Sequence, residues 1–372
     1  PAPSGGSPPG AAAGAEIHKI INEAGGEIVD TGFRIVEIIF ILAGALMLAA
    51  CGNKSGLVPV QTENIESNAD NVMTDTRIQE GPYTEDTKVT DVINDEVFDG
   101  YGRLIFPVDM QISDNLTLKN INTILPWYSE INTDKTVEIV NYMKEKAGSG
   151  QQIFYDIYSD DEKKSDLDKQ NTGLFFFKGN TGAKSAIVNA GGGFMYVAGM
   201  HDSFPHALEL SKKGYNAFAL IYRPGARTAC EDLARAIAFL HEHADELGID
   251  MSDYSLWGGS AGARMAAWLG AYGTSAFGEK QYPKPAAVIM QYTGLSEVTG
   301  DEPPTYACVG TSDGIASYRS MERYISRIKN NGTNAKIEVF DGLSHGFGLG
   351  QNTVADGWLD RAVMFWEDNM RK

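Results

Sequence analysis

Ser260 stands in Gly258-Gly259-Ser260-Ala261-Gly262, between the apolar, strand-like Tyr254-Ser255-Leu256-Trp257 and a helix-like run from Ala263 to Tyr272. A serine hydroxyl is a poor nucleophile at neutral pH and needs an exposed position beside a general base, which a sharp strand-to-helix turn provides. Glycines at 258 and 262 let such a turn form without side-chain clashes. The pattern therefore points to nucleophilic chemistry at Ser260.

Further features belong with it. Ile187 to Phe194 is an apolar run that ends in Gly191-Gly192-Gly193, and consecutive glycines after a strand can offer unobstructed backbone N–H groups to an oxyanion. The strand-like Tyr306 to Gly310 runs into Thr311-Ser312-Asp313-Gly314, and the strand-like Lys336 to Phe340 leads to Leu343-Ser344-His345-Gly346. Ser260, Asp313 and His345 thus follow one another in the order nucleophile, acid, base, each just after a strand. Asp341 is the rival acid, close to His345 in sequence, but its position suits strand-exit turn chemistry. Asp313 is the expected partner.

On these motifs the segment from about Leu174 to the C-terminus resembles the α/β-hydrolase superfamily, and within it the bacterial acetyl esterase and lipase-like branch that includes feruloyl and acetylxylan esterases. Two departures are visible. Many relatives read His-Gly-Gly-Gly in the oxyanion loop where this chain has Ala190-Gly191-Gly192-Gly193, and hormone-sensitive-lipase-like relatives carry Gly-Asp-Ser-Ala-Gly-Gly where this chain has Gly-Gly-Ser-Ala-Gly-Ala. The resemblance implies a Ser260–His345–Asp313 triad acting through an acyl-enzyme. It also implies an oxyanion hole of the Gly192, Gly193 and Ala261 N–H groups.

Other suggestive residues read as structure. His241 and His243 lack the i, i+4 spacing that puts two imidazoles on one helix face, so no zinc site is expected there. His201 and His206 follow the glycine loop; the reading taken for both is a solvated helix start, with the site entrance as the alternative. Arg223 reads as an ion-pair partner at a strand end. The chain has three cysteines; Cys230 at a helix start and Cys308 on a strand are expected to be buried thiols.

The elements that must hold the site alternate. Asn216 to Tyr222 and Ala286 to Tyr292 are nearly continuous apolar runs, as expected of strands covered on both faces. Leu233, Ile237, Leu240, Ala244 and Leu247 recur at helical spacing before Gly248, and Trp358, Leu359, Ala362, Phe365 and Trp366 mark a final amphipathic helix. The expectation is an α/β fold over 151–372, a mostly parallel sheet with helices on both faces.

The N-terminal part differs. Residues 1–50 comprise a Pro, Gly, Ala and Ser-rich start followed by an uncharged apolar run from Ile38 to Ala50 that ends at Cys51. That run suits a signal-peptide core better than a membrane span. Leu48-Ala49-Ala50-Cys51 resembles the bacterial lipobox, which implies lipidation at Cys51 and an extracytoplasmic, membrane-anchored protein. Residues 51–100 are polar and acidic, and read as a disordered tether. Residues 101–150 regain apolar content, with a helix around Val137, Val140 and Met143, and read as an N-terminal extension or a cap over the site.

A net charge of -18 and pI of about 4.7 argue against nucleic acid as a partner. No cofactor or metal is expected. The sequence favours a serine carboxylesterase acting on small acyl esters, acetyl foremost, on carbohydrate or another small molecule. The alternatives are a lipase or peptidase with the same triad, or a surface-binding lipoprotein on an idle hydrolase scaffold.

Overall fold

The computed structural model describes residues 81–125, 127–128 and 131–371. Cys51 and the signal-like run therefore lie outside the described residues. The frame is an eight-stranded sheet: β1 (Phe154–Tyr155), β2 (Gly173–Phe177), β3 (Lys184–Asn189), β4 (Asn216–Ile221), β5 (Asp250–Gly259), β6 (Ala287–Gln291), β7 (Thr305–Gly310) and β8 (Ala335–Phe340). In space the order is β1-β2-β4-β3-β5-β6-β7-β8. From β4 to β8 every neighbouring pair is parallel, whereas β2 runs antiparallel to both β1 and β4.

Strands β2, β4, β6 and β7 are buried at every residue, the signature of a sheet covered on both faces. Leu233, Ile237 and Leu240 are the buried face of the Ala226–Glu242 helix. Gly248 closes the following turn at φ 65°, a left-handed position that glycine takes without side-chain strain. Trp358 and Trp366 of the Trp358–Asn369 helix flank Trp257 at ring separations of 6.4 Å.

The acidic stretch expected to be a tether through residue 100 is packed structure from Gly81 onward. Tyr83, Val89, Val92 and Phe98 are buried, and the buried Asp95 accepts from the Tyr83 hydroxyl at 2.6 Å and pairs with Lys144 at 2.9 Å. The acidic composition masked these few apolar anchors. The helix expected near Val140 spans Thr133–Gly148, capped by the Asn132 side chain accepting from the Lys135 N–H, and buries Ile139, Val140 and Met143. It is tied to the Phe204–Lys212 helix through Lys135–Glu209 at 2.9 Å and Lys212–Glu138 at 2.6 Å, while Tyr142 stacks on Phe177 of β2. The extension is thus built into the hydrolase frame. Cys230 and Cys308 are buried free thiols.

Candidate active site

Strand β5 ends in the turn that carries Ser260, and the turn leads into the Ala261–Tyr272 helix. Ser260 has φ 51° and ψ -115°, a conformation that costs a non-glycine residue about 1–3 kcal/mol and persists only where the surroundings enforce it. They do so here: the Ser260 N–H donates to Gln291 O of β6 at 3.0 Å, and its carbonyl accepts from Arg264 N at 3.2 Å. A Cβ at Gly258 would collide with the Gly262 backbone, and one at Gly262 with Asn189 O. The glycine spacing is dictated by backbone approach on both sides of the serine.

The acid and base are brought together by the ends of β7 and β8. Thr311 N donates to Phe340 O at 2.8 Å and Ser312 N to Leu343 O at 3.1 Å, and the approach is close enough that a Cβ at Gly310 would collide with Leu343 O. His345 Nε2 lies 3.1 Å from Ser260 Oγ, and His345 Nδ1 lies 2.8 Å from Asp313 Oδ2. The other Asp313 oxygen accepts from the N–H groups of Ile315 at 2.8 Å and Ala316 at 2.7 Å. With its side chain wholly enclosed, Asp313 can fix the imidazole tautomer and balance an imidazolium. Asp341 is exposed and bonds Thr311 instead.

The glycine loop after β3 covers the serine. Gly192 and Gly193 take φ 126° and 64°. The Gly191 N–H donates to Asp202 Oδ2 at 2.8 Å, and the Gly191 and Gly192 carbonyls accept from Ala198, Met195 and Tyr196. Those bonds hold the loop. The N–H groups of Gly192, Gly193 and Ala261 enter none of the hydrogen bonds among the described residues.

Beneath the serine sits a residue that sequence reasoning missed as part of the site. Asp202 is 1% exposed and accepts from Gly191 N, from the Tyr128 hydroxyl at 3.1 Å and from the Tyr292 hydroxyl. Burial first, and then the Asp202 carboxylate, push both phenols well above their ordinary pKa. They are hydroxyl donors at any working pH. A Cβ at Gly259 would collide with Asp202, so the first Gly-Gly of the elbow has a physical cause. A Cβ at Gly191 would collide with the Tyr128 hydroxyl and lie 2.9 Å from Ser260 Cβ. Tyr128, from the extension, is therefore at the nucleophile. Nothing local in sequence signals a tyrosine so far from Ser260.

His201 and His206 are 7% and 1% exposed, which corrects the expectation of solvated helix starts. His201 Nε2 bonds Gly346 O at 2.7 Å, next to the base, and His206 packs on Trp358. Both sit where helices press onto the sheet, so packing removes them from water. Arg223 is an ion-pair partner, but a buried one, holding Asp232 at 2.7 Å and Asp166 at 2.6 Å. Among the described residues no cluster of His, Cys, Asp or Glu could hold a metal ion.

A mostly parallel sheet with Ser260 on a strained turn after β5, and Asp313 and His345 after β7 and β8, defines an α/β-hydrolase fold. Residues 175–299 match the BD-FAE family model, a span that holds Ser260 and the glycine loop and stops short of Asp313 and His345. An acetyl ester-xyloside bifunctional hydrolase from Caldicellulosiruptor lactoaceticus is similar at 20% identity and TM-score 0.51, over 58% of this chain and 95% of that one. An esterase of Thermogutta terrifontis with propionate bound is similar at 23% identity and TM-score 0.47, over 53% and 89%. A search of curated proteins finds no match.

Proposed function

We propose that the protein is a serine carboxylesterase that removes small acyl groups, acetyl foremost, from a small-molecule or carbohydrate alcohol. The observation that carries this reading is the unbroken line from Asp313 through His345 to Ser260, at 2.8 Å and 3.1 Å. Ser260 Oγ attacks the acyl carbonyl as His345 Nε2 takes its proton. The oxyanion is met by the N–H groups of Ala261, Gly192 and Gly193, each such donor being worth about 2.7–4 kcal/mol of barrier. His345 returns the proton to the leaving alkoxide, and water then hydrolyses the acyl-enzyme by the same route. The BD-FAE match over the elbow and the glycine loop supports ester hydrolysis. Carbohydrate as the alcohol rests on fold likeness alone.

The decisive experiment is fluorophosphonate labelling of the full chain and of Ser260→Ala, with the adduct located by mass. Labelling of Ser260 alone, together with p-nitrophenyl acetate hydrolysis lost in Ser260→Ala, is the expected result. Hydrolysis that survives Ser260→Ala overturns the mechanism. In this reading a lipid at Cys51 holds the enzyme at the outer face of a bacterial membrane, checked by the intact mass of Cys51 peptides from membrane fractions.

A further inference from the structure

Arg264 lies one helical turn past Ser260, in the first turn of the Ala261–Tyr272 helix, with its N–H bonded to Ser260 O. Its side chain is half-buried and its Nε is enclosed without a hydrogen-bond partner. Among the described residues it forms no ion pair, although the chain carries a net charge of -18. Arg223, Arg235, Arg361 and Arg371 each engage a carboxylate. The guanidinium of Arg264 instead lies over the Trp268 ring, 5.7 Å from its centroid. A Cβ at Gly294 would be 3.7 Å from its Nη2.

Those neighbours place it beside the site. Trp268 stacks on Phe194, the residue after Gly193 of the glycine loop. Gly294 follows Tyr292 by two residues, and the Tyr292 ring packs on His345 at 4.9 Å. Two physical costs attend this cation. It stands at the positive end of a helix, where anions are favoured and cations are not, and its enclosed Nε–H is a donor without an acceptor among the described residues, which costs desolvation. Burial with no compensating carboxylate lowers its pKa to about 10, so it remains charged at neutral pH. A cation beside the site whose enclosed Nε has no acceptor among the described residues is a mark of a functional site.

We propose that Arg264 is a specificity residue that receives a carboxylate on the substrate, so that the preferred esters are anionic. A guanidinium presents a planar fork that matches a carboxylate bidentately, and one such bond supplies what both costs leave unmet. The proposal rests on the esterase reading of Ser260.

The test compares hydrolysis of 4-acetoxybenzoate with that of its neutral methyl ester by the full chain, by Arg264→Met and by Arg264→Lys. The ratio of kcat/KM for acid over methyl ester is expected to fall at least about tenfold in Arg264→Met, the size of a lost charged hydrogen bond, and to recover partly in Arg264→Lys. An unchanged ratio in Arg264→Met means that the guanidinium serves packing and water only, and overturns the proposal. Calorimetry of 4-acetoxybenzoate on Ser260→Ala, with and without Arg264→Met, separates the two claims. If neither ester is turned over, the esterase reading fails while binding that depends on Arg264 still supports the anionic subsite; absence of binding sinks it.

Discussion

Each residue of the site answers to a particular neighbour, which makes the expected effects of substitution specific. Asp313→Asn retains shape but leaves His345 Nδ1 facing an amide, and kcat should fall about 10³–10⁴-fold. Asp341→Asn, altering an exposed carboxylate bonded to Thr311, should leave kcat within about twofold. Steady-state kinetics on one ester decides between them, and equal losses would mean the acid is misassigned. Gly259→Ala drives a methyl into Asp202. Overpacking at a filled site costs about 1–3 kcal/mol, visible as a lower denaturant midpoint at unchanged m-value. Ser260 and His345 were legible in sequence because a nucleophile elbow has a local signature. Asp202 was not, because a lone acid on a short helix has the same local appearance whether it is solvated or buried.

At the level of elements, strands β4, β6 and β7 were legible because burial on both faces leaves continuous apolar runs. Strand β1 was not, being a two-residue edge piece. The extension before residue 151 was legible as a helix and was read as an extension or a cap over the site, but the contact of Tyr128 with Asp202 was not legible. Its helix is fastened by ion pairs to the Phe204–Lys212 helix, and Tyr128 gives Asp202 one of its donors. Tyr128→Phe removes that donor from a buried carboxylate, so about 1–3 kcal/mol of stability should go, with a lower kcat as the glycine loop loosens. Urea unfolding and initial rates on the same preparation test both. A chain begun at residue 151 leaves the apolar surface under Val140, Met143 and Phe98 bare, and should aggregate or unfold; a soluble, fully active fragment would show that the extension is dispensable.

Across the whole molecule, buried histidines set part of the pH response. Burial depresses His206 to about 4 from its ordinary 6.5, and His241 moves down for the same reason. Above pH 6.5 neither folded nor unfolded chain holds the His206 proton. As the pH falls toward 4 only the unfolded chain takes it up, so stability declines across that window by up to about 3 kcal/mol. Urea midpoints at pH 7.5 and 5 should separate in the parent and separate less in His206→Gln, where His241 still contributes; an equal separation in both would place the effect elsewhere. Glu242 acts lower. Its burial is outweighed by hydrogen bonds from Tyr282 and Arg235, which hold it near 2, and its share of stability goes as pH falls below about 4.5. By itself the sequence determined the hydrolase frame and placed Ser260, Asp313 and His345 each just after a strand, since these depend on turn chemistry and apolar periodicity within a few residues. Only the tertiary structure decided which acid reaches His345, that Tyr128, Tyr292 and Asp202 converge beneath Ser260, and that Arg264 stands beside them with no ion pair among the described residues. Those facts depend on which strand ends meet across the sheet and on what burial removes from water, and neither is written in local spacing.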